Sequence, residues 1–432
     1  MTRNLLLCSL FVFPKKRLYC LLLTSLFGFL FGLYVSSVRP VFREGNSFRM
    51  MPTEFPSTKD TLRHTDLYRN GNGHEPAVTK RVGVKKKRQS GRRMSNNTKV
   101  LRGIVNRLVY PNAANRQIRR SLLNHLENCF RNSSVKFNAT QLTISELTRL
   151  RITEYLTQRG YRQRLPDVIN IGVKKSGTTL LSWFMAHHPG IAHAKDVETH
   201  FFDRYFQLGL QYYKSRMTFA SDDQLSFEKT PRYFVNPETP RLIRELLPRH
   251  VRFIINVRDP IERAISDFRH ISEVNLSNGG KINASLTKNR TSITEGLRFT
   301  SEVMSPLNGS VFKNHTVIDT SIYAKHMERW LQYFPLAKFH FVDHAQLMIN
   351  PSSEMNKIER FLNLTTFYNP EMFNGNAKNI MLCTKGHCMA HIRSHVIPKA
   401  TPDERTISKL KLFFEPHNQY FSTLIGREFS WS

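Results

Sequence analysis

The chain has 432 residues and a formal charge of +31 at pH 7, from 64 Lys and Arg against 33 Asp and Glu. That balance argues against a cationic partner and for a polyanionic one, whose neutralisation releases condensed counterions. Nucleic acid is the first polyanion to consider, and the N-terminus argues against it. Residues 18–38 are 21 positions without a charge, enough to cross a bilayer core, and Lys15, Lys16, Arg17 and Arg3 precede them. The expected organisation is a cytoplasmic tail at 1–17, a transmembrane signal anchor at 18–38 and a lumenal remainder. A cleaved signal peptide is the rival, but the span is long for one and lacks a small-residue cleavage site. N-x-[ST] triplets at Asn96, Asn132, Asn138, Asn275, Asn283, Asn289, Asn308, Asn314 and Asn363 suit a secretory-pathway glycoprotein. Residues 275–314 read as exposed loop. Cys383 and Cys388 are close enough for a small-loop disulfide in an oxidising lumen; a zinc pair competes, though no second ligand pair follows. Cys129 is left as a free thiol or an intermolecular bridge.

Along the chain, residues 39 to about 100 are polar, basic and without apolar period, a stem. Helical patches at Ile118, Leu122, Leu123 and Leu126, and at Leu147, Leu150, Ile152 and Leu156, make a helical neck that completes a stem region of 39–165. The compact domain spans 166–432. Residues 168–173 form a buried strand, 174–178 a small-residue loop, and a helix starts near Thr179 with Leu180, Leu181, Phe184 and Met185 on its apolar positions. Residues 251–257 are a second strand, followed by Arg258-Asp259-Pro260 and a helix through Phe268. An amphipathic helix at 323–334 precedes a third strand at 339–342, and helices follow at 351–362 and from 403 to about 414. This alternation gives an α/β class, a central parallel sheet flanked by helices, with ligands gathering at the C-terminal strand ends.

Two anion sites lie at such ends. A strand running through a Gly/Ser/Thr turn into a helix directs backbone N–H groups and the positive helix end at one point, and Lys174 and Lys175 add charge. The loop resembles the nucleotide-triphosphate motif in spacing, with Gly172 and Gly177 correctly separated, but Thr178 stands where that motif needs lysine. Arg258 and Ser266 can grip a second phosphate by a charged fork and a hydroxyl. A tight turn with surface lysines and a structural arginine is the bland alternative. Between these sites fall Glu198-Thr-His200-Phe-Phe-Asp203 and Glu228-Lys229-Thr-Pro-Arg-Tyr-Phe.

Those stretches, with IGVKKSGT, RDPIERAISDF, SIYAKHMERWLQYFP, the Cys383/Cys388 pair and FFEPHNQYF with GREFSW, resemble the Golgi sulfotransferases that use 3′-phosphoadenosine-5′-phosphosulfate (PAPS). They are most similar to the heparan sulfate glucosamine 3-O-sulfotransferases, from Pro166 to the C-terminus. The resemblance implies PAPS as sulfuryl donor with no metal required, heparan sulfate or a related glycan as partner rather than nucleic acid, and a Golgi type II membrane protein. Lys175, Ser176, Gly177, Thr178 and Thr179 would wrap the 5′-phosphosulfate, and Arg258 and Ser266 the 3′-phosphate. Arg393, Ser394, His395, Val396 and Ile397 would close over the nucleotide. Glu198 takes the general-base position, with His200 and Asp203 beside it and Lys229 facing substrate and sulfonate. Burial among aromatics is expected to raise the Glu198 pKa, whereas pairing with Lys195 would make it structural. Lys174 and Arg232, with Lys195, Arg204 and Arg269, are candidate glycan contacts. The chain departs from the 3-O family that it resembles at Thr179, where that family usually carries arginine and the N-sulfotransferases threonine. Leu382 replaces an aromatic expected to stack on a ligand, the disulfide loop is short, and the 393–398 run is altered. N-sulfation, another glycosaminoglycan acceptor, and a heparan-binding membrane protein with weak catalysis are the alternatives. A kinase reading fares worst, because neither the Walker lysine nor a metal-binding acid has an obvious candidate.

Overall fold

Period-two patterning places alternate apolar residues of each strand in two separate cores, so every strand is covered on both faces. In this computed structural model, which describes residues 96–131, 146–278, 290–376, 379–384, 387–390 and 397–431, the strands are β1 (Val168–Gly172), β2 (Ile191–His193), β3 (Leu225–Lys229), β4 (Arg252–Val257) and β5 (Phe339–Asp343). All pair in parallel, in the order β2-β3-β1-β4-β5. Ile169, Ile171, Phe253, Ile255, Phe339 and Phe341 fill one core with Tyr323, Met327 and Trp330. Val168, Phe227, Ile254 and Val342 fill the other with Leu180, Leu181, Phe184 and Met355. A buried polar pair, Asn170 Nδ2 donating to Asn256 Oδ1 at 2.9 Å, ties β1 to β4. The chain leaves β1 toward one edge of the sheet and β4 toward the other. The crevice between their C-terminal ends is therefore a switch point, where open α/β sheets bind ligands.

The helices that matter below are α1 (Asn96–Leu108), α2 (Arg116–Arg131), α3 (Glu146–Thr157), α4 (Thr178–His187), α5 (Pro260–Asn278), α6 (Ser292–Val303), α7 (Tyr323–Leu331), α8 (Pro351–Leu362) and α9 (Glu404–Ile425). The expected central elements are present within a few residues of their bounds, and α8 matches at both ends. The expected loop at 275–314 is corrected: α5 continues to Asn278, and α6 occupies part of the interval. Helix α6 is started by a reciprocal cap between Thr291 and Thr294 and buries Phe299 and Val303 one turn apart. Helix α9 runs past the expected stop to Ile425 with Pro416 inside it; Leu412, one turn earlier, is exposed, so the interrupted turn lies near solvent. Strands β2 and β3 were not expected, because they are short and β3 ends in Glu228 and Lys229. Nor was an antiparallel sheet of β6 (Phe373–Asn376), β7 (Asn379–Thr384) and β8 (His387–Ala390). There Cys383 is disulfide-bonded, and the strand register sets Cys388 directly opposite it.

The neck helices share a core: Leu101, Ile104, Val105, Ile118, Leu122, Leu126, Ile152 and Leu156 pack with Phe219. Asn112 Nδ2 donates to the carbonyls of His188 at 3.3 Å and Ile191 at 2.9 Å, and the Phe219 N–H donates to the Leu108 carbonyl at 2.7 Å. The neck is thus seated on the β2 edge of the sheet. Among the described residues no helix is long and apolar enough to cross a membrane. The expected tail and anchor, the stem before residue 96, and the Asn132, Asn138, Asn283 and Asn289 triplets lie outside the described residues.

Candidate active site

Every element of the site leaves a C-terminal strand end. After β1, Lys175 (φ 71°) and Gly177 (φ 86°) turn through left-handed backbone into the start of α4. No side chain among the described residues caps that helix, so its first N–H groups face the loop without an intrahelical partner. Ser176 is fully buried, and its Oγ has no hydrogen-bond partner among the described residues. Gly177 is required twice over: its φ suits glycine, and a Cβ would stand 2.6 Å from His344 Nδ1. Gly177→Ala should destabilise the domain by about 1–2 kcal/mol from backbone conformation alone. Stabilisation by 3′-phosphoadenosine-5′-phosphate (PAP) should fall with it, as read by melting temperature with and without PAP.

The loop is braced by a group that the motif reading missed. Arg263, completely buried on α5, donates to Asp267 Oδ2 at 2.9 Å, to Ser321 Oγ at 2.6 Å, to the Lys174 carbonyl at 3.2 Å and to the Val317 carbonyl. Lys174, expected to face glycan, places its Nζ 2.8 Å from Asp267 Oδ1. The available signal was the i,i+4 spacing of Arg263 and Asp267, each followed by a core residue, Ala264 and Phe268. Arg263→Ala strands Asp267 with Lys174 alone, and should cost about 3–5 kcal/mol in chemical denaturation.

Across the crevice, Arg258 leaves β4. Its Nη1 lies 3.5 Å from the Lys175 carbonyl, its Nη2 donates to Glu262, and its Nε is buried without a partner among the described residues. Arg269, two turns into α5, has a buried, unpartnered Nε of the same kind. Burial holds the Arg269 guanidinium below its ordinary value, opposed by Glu273 and reinforced by the Arg258 charge. Ser266 lies half-buried on the same helix. Glu262 also accepts from Lys399 Nζ at 3.1 Å. Burial resists its charge, but Arg258 and Lys399 bring its carboxyl down to about 2. A buried hydroxyl, an uncapped helix and two orphaned guanidinium Nε atoms fit a nucleotide anionic at both ends, such as PAPS, which Lys175, Ser176, Gly177, Thr178 and Thr179 would hold at one end and Arg258 and Ser266 at the other. Arg393, Ser394, His395 and Val396 lie outside the described residues. Ile397 is buried, its N–H donating to Glu273 Oε1 at 3.3 Å. Leu382, which stands where an aromatic was expected, packs in the core with Phe184, Tyr368 and Phe373.

On the other side of β1, the register sets Asn170 beside Lys229. The buried Lys229 Nζ donates to Glu198 Oε1 at 2.8 Å, His200 Nε2 is 3.1 Å from Glu198 Oε2, and His200 Nδ1 is 3.0 Å from Asp203 Oδ2. Asp203 is also approached by Arg232 Nε at 3.4 Å and Arg204 Nε at 3.7 Å, both on largely exposed side chains. Thus Glu198, His200, Asp203 and Lys229 form one continuous array, with Arg232 and Arg204 on its rim. Lys195 Nζ donates to the Ser215 carbonyl at 2.6 Å.

The expectation of a raised Glu198 pKa is overturned. Burial does oppose its charge, but the His200 hydrogen bond and the Lys229 ammonium outweigh burial and hold the carboxyl at about 2. Burial likewise works against His200⁺, and Asp203 and Glu198 overcome it to raise the imidazole to about 9. Glu198 therefore contributes stability that is present above its ordinary range and lost as pH falls through about 2. The His200 contribution is complete below about 6.5 and lost as pH rises through about 9.

A family model described as "Sulfotransferase domain" matches residues 165–383. The chain belongs to the sulfotransferase family. Among curated relatives, mouse heparan sulfate glucosamine 3-O-sulfotransferase 5 is 34% identical over 276 residues, covering 62% of this sulfotransferase and 75% of the relative. Human heparan sulfate glucosamine 3-O-sulfotransferase 3A1 is 34% identical over 286 residues, covering 64% of each. Among solved structures, a sulfotransferase from Alicyclobacillus acidocaldarius aligns with TM-score 0.42 at 16% identity, over 62% of this chain and 98% of that one. The family match spans β1 to Cys383 and so contains both anion sites and the Glu198–Lys229 array.

Proposed function

We propose that this sulfotransferase transfers the sulfuryl group of PAPS to the 3-hydroxyl of glucosamine in heparan sulfate, with Glu198 as general base. The single observation that carries the reading is the Lys229–Glu198–His200–Asp203 array, set beside the uncapped start of α4 across one strand. Bound PAPS supplies an activated sulfuryl group. The chain supplies position and charge: the N–H groups of 175–179 and the Lys175 side chain would hold the 5′ end, and Arg258 and Ser266 the 3′-phosphate. Lys229 stands where negative charge builds during in-line displacement. Glu198 Oε2 takes the acceptor proton, and His200, fixed by Asp203, aims it. A low pKa suits this task when displacement runs through a loose transition state, because the hydroxyl becomes acidic only as its bond to sulfur forms.

The wider setting belongs to the same proposal: a Golgi type II membrane protein, supported by the uncharged 18–38 segment behind a basic tail and by the N-x-[ST] triplets. An excess of basic residues favours a glycan polyanion, so binding to heparan sulfate should weaken steeply as salt rises. The deciding experiment is transfer of labelled sulfate from PAPS to heparan sulfate by the full chain, followed by disaccharide analysis. A 3-O-sulfated glucosamine product is expected. N-sulfated product, to which Thr179 gives a specific motive, or sulfate only on another glycosaminoglycan, would overturn the regiochemistry. Stabilisation by PAP without transfer to any glycan would overturn the enzymatic assignment.

A further inference from the structure

Glu228 is completely buried at the end of β3, one residue before Lys229, and nothing in the transfer chemistry uses it. Its carboxyl group is surrounded by hydroxyls: burial pushes its pKa up, and the hydrogen bonds from Tyr213, Thr199 and Thr230 oppose that push. Tyr213 Oη donates to Oε1 at 2.7 Å, while Thr199 Oγ at 2.8 Å and Thr230 Oγ at 2.9 Å donate to Oε2. Each hydroxyl has a single hydrogen. Once Thr230 and Thr199 spend theirs on Glu228, their oxygens are left as acceptors. Thr230 Oγ then receives the main-chain N–H of Thr199 at 3.1 Å and of His200 at 3.3 Å. Thr199 Oγ receives Tyr233 Oη–H at 3.0 Å, and Tyr233 Oη in turn receives the Phe202 N–H at 3.3 Å. The result is one proton-ordered shell that grips residues 199–202 by their backbone.

That grip falls on the segment that most needs it. His200 sits at φ 50°, the left-handed region that a residue with a Cβ enters at a cost, and from there it opens the π-helical turn Phe201–Tyr205 that carries Asp203. We propose that Glu228 is the positioning residue of this site: an acceptor-only anchor that fixes the direction of four hydroxyls, so that Thr230 and Tyr233 hold the 199–202 main chain and set Glu198 and His200 against Lys229. It touches no reacting atom and acts through its neighbours. The inference rests on the reading of Glu198 as the base.

The test uses steady-state transfer by the full chain, PAP-induced thermal shift, and NMR titration of the His200 imidazole. Glu228→Leu removes every acceptor and should lower kcat about 100-fold, as a displacement of about 1 Å at a catalytic group does. KM for PAPS and the PAP thermal shift should stay within about twofold, because the donor half of the site lies beyond β1. The same loosening should move the His200 midpoint down from about 9. Glu228→Gln should recover most of kcat, since its amide oxygen can serve Thr199 and Thr230 while its NH₂ turns to Tyr213 Oη. Thr230→Val should reproduce the kcat loss, and Thr230→Ser should restore it. A Glu228→Leu enzyme within twofold of wild-type kcat, a Gln variant as impaired as Leu, or parallel loss of PAP binding would overturn the proposal. Should Glu228→Leu fail to fold, the Thr230 pair decides, and equal impairment in Val and Ser refutes the anchor. Glu198→Gln separates the two ideas: retained transfer there sinks the base, whereas the Thr230 pair and the His200 titration still report on the anchor.

Discussion

Glu198→Gln should lower kcat by about 10²–10⁴-fold, the range of general-base catalysis, while PAP continues to stabilise the protein to nearly the same extent. The amide keeps the size and one hydrogen-bond acceptor of the side chain but cannot receive a proton. It also leaves the buried Lys229 ammonium and the His200 imidazolium facing each other without a carboxylate between them, so an anion in the site becomes more welcome, not less. Rate and nucleotide affinity should therefore separate cleanly in parallel transfer and thermal-shift assays. Collapse of PAP binding along with rate would make Glu198 a structural residue. In the wild type, a carboxyl held at about 2 is ionised throughout the working range, so the acid limb of the kcat profile should lie below the ordinary carboxylate range. On the alkaline side, His200 loses its proton near 9, and activity that depends on its aim should decline there.

Lys229→Ala should cost about 10²–10³-fold in kcat, comparable to removing a donor preorganised for developing charge. Its second effect has a definite sign. The Lys229 ammonium is one of the groups that pull Glu198 downward against burial. Without it the Glu198 pKa rises, and the acid limb of the pH–rate profile must move to higher pH. A profile that loses amplitude without shifting would show that the 2.8 Å pair does not control the carboxylate. Because the lysine is fully buried, the alanine also leaves a void, so melting temperature should be measured alongside.

The central sheet was partly legible because β1, β4 and β5 are mainly apolar runs, broken by few polar residues such as Asn170, Asn256 and His340, as strands buried on both faces tend to be. Strand β3 escaped notice for the opposite reason. Its last residues are Glu228 and Lys229, charges that look like surface until the hydroxyls of Tyr213, Thr199 and Thr230 and the carboxylate of Glu198 are brought to them from elsewhere in the chain. Helix α9 was cut short because Pro416 reads as a stop, and α6 was hidden inside a polar, Asn-rich interval. The candidate site residues stood out as motifs, and the structure brings Glu198, His200, Asp203 and Lys229 into contact. Their electrostatics did not emerge. Aromatic neighbours around Glu198 suggested a raised pKa, yet two cationic partners, one of them 31 residues away in sequence, reverse the sign. Sequence proximity shows desolvation more readily than it shows the distant charge that answers it.

The switch-point arrangement gives the enzyme two independently adjustable halves. On the proposed reaction, loops leaving β1 and β4 would grip one co-substrate, whereas those leaving β2 and β3 would hold Glu198 and the rim arginines. On that proposal, substitutions around Arg204 and Arg232 would retune which sugar is admitted without loosening the hold on the nucleotide. Diversification of acceptor preference on a constant donor chemistry is the evolutionary route this layout leaves open.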